Sequence, residues 1–430
     1  MGSGQVRVAR IRVTIALAGA LTGAVYGGLC ATLVAAPRGA VLRVATVSGA
    51  ALLGVIVAYL SARLVGRRLQ GVAAALLVVA GGVLTPLAAP IHWPGLLGPA
   101  LAGLGAGVLT IVAPLLAREL AANSRHQVAG STGFGLPLGL GTTQLVAVAA
   151  VAVELPVERL VWPTIGALAL LVGILLATLP ESPVWLATHR TMERSYAAMV
   201  RLFGTLEASI ELDWVLMARD MAAEERRLRW RDLRLPGMKR TVTAGAVLAL
   251  VREAPLGLAA LVLVPAVAGE LASPRAATVA LLVLGLTATG VGVTTALHRF
   301  RGFGFARLIA GLALALVGLS LMTLATHVHG GGALVLVLVA TLGLAVAQFV
   351  LVTPAARGSV EPLVPPWLVR AHTTSTHVLA AAARVICLTA PAALVATRGP
   401  ATTAMVATLV EIVVLIVLTA ALPQALHRTA

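Results

Sequence analysis

Apolar residues in this chain gather in long blocks, not at the spacing of an amphipathic helix or a half-buried strand. Twelve blocks stand out, at 13–35, 41–61, 71–90, 96–117, 131–153, 160–179, 242–265, 276–297, 308–326, 333–353, 376–396 and 401–422. Crossing the hydrocarbon core of a bilayer takes about 20 apolar residues in a helix. Each block has roughly that length, and the pattern predicts an all-α polytopic membrane protein with twelve transmembrane helices. Many blocks are rich in Gly and Ala, which lets helices approach closely in lipid. The first block follows Arg7, Arg10 and Arg12. It is longer than a signal-peptide core and further spans follow, so it is taken as a span.

The pattern breaks once. Residues 180–241 are charged, and Met192, Tyr196, Met199, Leu202 and Phe203 recur there at helical spacing. Glu224 and Glu225 precede Arg227, Arg229 and Arg231. This predicts amphipathic helices outside the membrane. The run RRLRWRDLR at 226–234 suits either an anionic membrane surface or a solvated linker. The expected organisation is a six-helix bundle over 1–179, a cytoplasmic helical linker over 180–241 and a second six-helix bundle over 242–430. The halves echo each other. Basic loops follow the second and eighth spans, ARLVGRR at 62–68 and HRFRGFGFAR at 298–307. Glu119 and Arg125 follow the fourth span, and Glu361 and Arg370 follow the tenth, at offsets of 242 and 245 residues. Such a repeat marks a duplicated transporter.

Composition supports the membrane assignment. Hydrophobic residues make up 59% of the 430 and charged residues 11%, with a mean hydropathy of +0.99. A soluble domain carries about 25% charged residues. The net charge is +16, which on a soluble protein would suggest nucleic acid. Here cytoplasmic loops account for it, and no nucleic-acid partner is expected. With the N-terminus inside, 25 of the 32 Lys and Arg fall on the cytoplasmic side, five outside and two within spans. Both termini are therefore expected in the cytoplasm, with the chain in the plasma membrane. Cys30 and Cys387 lie in apolar blocks and read as small hydrophobes, not as ligands or a disulfide pair. No HExxH, GxSxG or phosphate-cradling loop is present, so neither an enzyme nor a cofactor is expected.

Several short motifs carry a resemblance. PESPVWL at 180–186 resembles the PESPRWL box of the sugar-porter branch of the major facilitator superfamily, with Val184 in place of Arg. GRR at 66–68 is similar to that branch's loop between helices two and three. PLLARELAANSR at 114–125 resembles its fourth-helix ending, and Glu361, Pro365 and Arg370 resemble the matching motif after helix ten. The resemblance implies the twelve-helix fold and a set of gating charges at the cytoplasmic helix ends: Arg67, Arg68, Glu119, Arg125, Glu181, Glu361 and Arg370. Charged pairs there lock two halves in one state through contacts that the other state lacks.

Other positions depart from the branch. Arg63 stands where the helix-two loop has an acidic residue, and Tyr59 where that motif opens with Gly. Val25 aligns with the proton-coupling Asp and Pro99 with its Arg partner. Arg252 and Glu253 align with the sugar-contacting Gln pair of helix seven, Gly133 with the Gln of helix five, and His298 with an acidic residue. The scaffold resembles a sugar porter, while the usual sugar site and proton couple do not carry over.

Ionisable residues inside spans are candidates for function. Four are present: Arg252, Glu253, Arg384 and Glu411. Adjacent helical residues point about 100° apart, so Arg252 and Glu253 do not face one partner together. Arg384 and Glu411 lie on consecutive helices and read as a pair. Glu253 is the remaining candidate proton carrier. Further polar candidates for a central cavity are Tyr26, Thr142, Thr143, Gln144, Gln348, Thr376 and His377. The chain has three Tyr and six Trp, few for a sugar site, and an apolar or anionic solute fits these residues better. The expected function is secondary transport of a small organic solute by alternating access, with proton coupling as an option and lipids as further partners. Proton-driven multidrug efflux and a non-transporting sensor or scaffold are the alternatives.

Overall fold

The computed structural model describes residues 3–35, 40–87, 94–120, 125–225, 247, 274–297, 305–328, 331–352 and 369–427. Its helices are α1 (Ser3–Ala35), α2 (Ala40–Ser61), α3 (Arg67–Leu87), α4 (Pro94–Leu120), α5 (Arg125–Ala152) and α6 (Val157–Ala177). The linker folds as α7 (Pro183–His189), α8 (Met192–Phe203) and α9 (Thr205–Glu225). Then come α10 (Pro274–Leu297), α11 (Phe305–Ala325), α12 (Gly331–Val346), a π-helical segment (Ala347–Val352), α13 (Val369–Arg398) and α14 (Pro400–His427). No strand occurs among the described residues. Among the described residues, nine helical segments are long and apolar enough to cross a membrane, and 278–294 and 400–416 form shorter apolar stretches. Eleven of the twelve expected spans are thus helices; the seventh, 242–265, lies outside the described residues.

Helices satisfy every backbone group internally, which hydrocarbon demands. Threonine and serine hydroxyls do the same by donating to carbonyls one turn back, as Thr22 does to Ala18 and Thr85 to Gly81. Glycine sets the closest helix approaches. A methyl group at Gly139 of α5 would overlap the Ala20 carbonyl of α1.

Helix pairings repeat between the halves. The contacts α2–α4, α3–α4, α3–α6 and α5–α6 recur as α10–α12, α11–α12, α11–α14 and α13–α14. Under this correspondence α2 matches α10 and α5 matches α13. The principal helix contacts between the halves are α5–α10 and α2–α13, which the exchange converts into each other. Two bundles therefore meet along two symmetric seams.

The linker helices carry side-chain caps at their N-termini. The Ser182 hydroxyl accepts from the Trp185 amide with Pro183 at the start of α7, and Thr191 caps α8. The buried face of α8 is Ser195, Ala198, Met199 and Leu202. Tyr196, expected on that face, is 37% exposed. Ser195 takes the inner place because its hydroxyl donates to the Pro183 carbonyl at 2.8 Å and ties α8 to α7. The basic run 226–234 lies outside the described residues.

Candidate functional site

Two groups of side chains bring together residues the sequence singled out. The first joins the PESPVWL box to the turn between α2 and α3. Glu181 Oε1 accepts from the Arg68 amide at 3.0 Å and from the Ser182 amide at 2.9 Å. Arg68 is the second residue of α3, so the carboxylate caps that helix from across the chain and meets the positive end of its dipole. A methyl group at Gly66 would overlap the Glu181 carboxylate, which explains the glycine of GRR. Arg68 Nη1 donates to the Leu179 carbonyl at 3.3 Å, and the Trp185 indole donates to the Ala62 carbonyl at 2.9 Å. Gln70 closes the turn by donating to the Ala58 carbonyl and the Ser61 hydroxyl. All of these bonds lie within the first bundle and its own linker, and the Glu181–Arg68 and Trp185–Ala62 bonds link the two. Arg67 is buried, and its Nε and Glu119 Oε2 have no hydrogen-bond partner among the described residues. Arg125 opens α5 and Arg370 lies in the first turn of α13, while Glu361 falls outside the described residues.

The second group lies between the bundles. Arg384, near the middle of α13, donates from Nη1 to the Tyr26 hydroxyl of α1 at 3.0 Å, and its guanidinium carbon sits 5.1 Å from the Tyr26 ring centre. This is a hydrogen bond and a cation–π contact in one pair. Seven residues earlier on α13, His377 Nδ1 lies 2.8 Å from the Tyr59 hydroxyl of α2. Tyr26, Ser48, Thr110, His377 and Arg384 line a narrow crevice between α1, α2, α4 and α13. Ser48 and Thr110 donate to the Val44 and Ala106 carbonyls of their own helices, leaving oxygen lone pairs as acceptors.

The other candidates are placed elsewhere. Gln144 is fully buried and donates to the Gly27 carbonyl at 2.8 Å, holding α5 to α1. Thr142 and Thr143 both donate to the Gly139 carbonyl. Gln348 is buried in the π-helical segment. The expected Arg384–Glu411 pair is a correction. Arg384 turns to Tyr26, whereas Glu411 is fully buried and neither carboxyl oxygen has a hydrogen-bond partner among the described residues. Arg384 bonds across the seam to α1 in place of its neighbour in sequence. Cys30 is buried and Cys387 half-buried, and no disulfide joins them. Arg252 and Glu253 lie outside the described residues. Tyr59 was visible only as a departure from the family pattern, and Ser48 and Thr110 gave no signal at all.

A family model described as sugar (and other) transporter matches residues 39–385. The chain belongs to this family of transporters. It is a transporter and not an enzyme, and its fold is that of the major facilitator superfamily. The xylose transporter XylE from E. coli, in a partially occluded inward-open conformation, superposes with a TM-score of 0.73 at 16% identity, covering 96% of this chain and 98% of that one. The proton:xylose symporter XylE bound to 6-bromo-6-deoxy-D-glucose gives 0.72 at 18% identity, covering 96% of each. Plastidic glucose transporter 4 of Arabidopsis thaliana is 29% identical over 162 residues, which is 37% of this chain and 29% of that relative's length.

Proposed function

We propose that this transporter carries a small organic solute by alternating access, with the crevice between α1, α2, α4 and α13 as its solute site. The observation that carries the reading is the placement of that crevice. Its polar residues come from both bundles, and the bundles meet along two symmetry-related seams. A solute held there contacts both halves, so rocking one against the other exposes it to alternate sides. The linker face is the cytoplasmic one, as the arginine distribution supports. Arg67, Arg68, Glu119, Arg125, Glu361 and Arg370 are the charges assigned to closing that face, and Glu181 shapes it by capping α3.

The test is counterflow in proteoliposomes with a crosslink across the seam. Cysteines replacing Tyr59 and His377, in a background lacking Cys30 and Cys387, should form a disulfide that halts exchange of labelled solute, and reduction should restore it. Exchange that continues through the crosslink overturns the rocking reading. The absence of exchange for any of a panel of sugars and organic acids favours the scaffold alternative. Orientation is tested with Leu64→Cys, which should resist an impermeant thiol reagent applied outside cells, and His327→Cys, which should react. Proton coupling is assigned to Glu253. Glu253→Gln should lose accumulation driven by a pH gradient and keep exchange, which needs no net proton movement.

A further inference from the structure

The two seams exchange with each other when the halves are exchanged, yet their chemistry differs. Along α5–α10 the backbones meet. A methyl group at Gly141 of α5 would overlap the Gly285 carbonyl and the Thr289 amide of α10, and one at Gly292 would press on the Leu138 amide. One at Gly285 would lie 3.1 Å from the Gly141 carbonyl. The contact runs from Leu138 to Leu145 on α5 and from Gly292 back to Gly285 on α10, about 10 Å along each helix. It lies near the middle of both helices, Arg125–Ala152 and Pro274–Leu297.

Along α2–α13 the meeting is made by side chains. The sequence of α13 contains no glycine, and Gly54 of α2 packs on the Leu104 carbonyl of α4. The Tyr59 hydroxyl meets His377 Nδ1 at 2.8 Å. This link is off-centre: Tyr59 lies in the last turn of α2, three residues before Ala62, whose carbonyl accepts from Trp185 of the linker. When one rigid body rotates against another, each contact moves in proportion to its distance from the axis. A contact at mid-height moves least, and one near a helix end moves most. Glycine also suits a pivot locally, because backbones touching through it turn against each other with few side chains to disengage.

Resting on the carrier reading above, we propose that the mid-helix glycine contact of α5–α10 is the pivot of the alternating-access motion, closed in every state, and that the halves part along α2–α13. The opening is then one-sided in spite of the symmetric helix arrangement. The crevice assigned to the solute lies on this opening side, against α2 and α13. A contact present in every state adds the same energy to each, so it sets stability and leaves the conformational balance alone. The Tyr59–His377 link breaks when α2 and α13 part, so it does move that balance.

The test reads opening without a solute, on the full chain in detergent with Cys30 and Cys387 replaced. Val55 of α2 is 3% exposed and lines the crevice, so Val55→Cys reports parting of α2 from α13 by its rate of reaction with a soluble maleimide, measured by peptide mass spectrometry. Two disulfides are then compared. A cysteine sulfur at 145 takes the place of Leu145 Cγ, which would lie 3.1 Å from a methyl carbon at Gly285, within reach of a disulfide. Joining Leu145→Cys to Gly285→Cys should leave the Val55→Cys rate within about twofold, whereas joining Tyr59→Cys to His377→Cys should slow it about tenfold or more. If the first pair does not fold, Gly141→Ala carries the test. It should lower the thermal midpoint by several degrees and leave the labelling rate within about twofold. A Leu145–Gly285 crosslink that slows labelling as much as the Tyr59–His377 crosslink overturns the pivot and leaves the carrier reading intact. So does Gly141→Ala that changes the rate about fivefold with no change in midpoint. A Val55→Cys chain that never labels, or that labels equally fast with Tyr59 and His377 joined, shows that α2 and α13 do not part there and also overturns the proposal, while counterflow decides the carrier reading separately.

Discussion

Fastenings within a bundle and contacts between bundles are built differently. Inside the first bundle and its linker, many side chains bond to backbone, Gln144 to the Gly27 carbonyl, Trp185 to the Ala62 carbonyl and Glu181 to the Arg68 amide, beside side-chain pairs such as Arg43 with Glu158. Glycines let helix backbones touch inside the bundle, as Gly139 does with Ala20, and also at the α5–α10 seam, as Gly141 does with Gly285. Between the bundles the described polar links are side chain to side chain, Tyr26 with Arg384 and Tyr59 with His377. Backbone partners hold fixed positions, whereas paired side-chain tips part with a small rotation of either helix. A molecule that rocks two rigid bodies needs the first kind of bond within each body and the second kind at the seam. The difference predicts separable phenotypes. Changes within a bundle lower stability in every conformation. Changes at the seam shift the balance between conformations, since only differential contacts move that equilibrium.

The largest effect is expected inside the bundle. Gly139→Leu places a side chain where the Ala20 backbone already sits. Overpacking a tight core costs about 1–3 kcal/mol, and more when backbone has to move. Folded, monodisperse protein should fall to trace amounts by size-exclusion chromatography. Normal yields would mean that α1 and α5 separate at little cost, and the rigid-body side of the contrast would fail.

Next is the ion pair between Arg43 of α2 and Glu158 of α6, 2.8 Å apart with side chains 10% and 22% exposed. Breaking a buried pair by removing one partner costs about 3–5 kcal/mol; partial exposure reduces this. Arg43→Ala should lower the thermal midpoint by several degrees and leave the exchange rate of the surviving protein unchanged. Glu181→Ala follows, removing the cap of α3 at a cost of about 0.5–2 kcal/mol. It should behave like Arg43→Ala if Glu181 acts only within its bundle. A change in exchange rate without a change in the midpoint would return Glu181 to the gating role that the family resemblance implies.

Much of this was legible in the sequence, and the rest was hidden for a physical reason. Hydropathy located the spans because each needs its own apolar length. The caps of α7 and α8 emerged only in the structure, although Ser182 and Thr191 act on neighbours in sequence. The PESPVWL box and the GRR loop were both visible, but not that Glu181 lies over Gly66. Partner choice between distant helices was the least legible. Arg384 and Glu411 looked like a pair because their helices are consecutive, yet the rotation of α13 sends Arg384 to Tyr26. That rotation is set by packing over the whole seam, which no local pattern records.

The smallest effect is the most discriminating. Tyr59→Phe removes one hydroxyl from the seam and leaves the ring in place. A neutral hydrogen bond contributes about 0.5–1.5 kcal/mol net. Since its partner, His377, is on the other bundle, that energy favours the described conformation over any state in which α2 and α13 part there. Losing about 1 kcal/mol changes the ratio of two states roughly fivefold. The exchange rate should therefore change by up to about that factor, while the thermal midpoint hardly moves. The contrast sharpens in double-mutant cycles. Tyr59→Phe with His377→Ala should be non-additive in the exchange rate, because either change alone removes the bond. Tyr59→Phe with Arg43→Ala should be additive, because Arg43 lies roughly 24 Å earlier along α2. If Tyr59→Phe instead lowers the midpoint as much as Glu181→Ala does, the hydroxyl is a structural fastening like those within the bundle, and the distinction between seam and bundle is lost at this position.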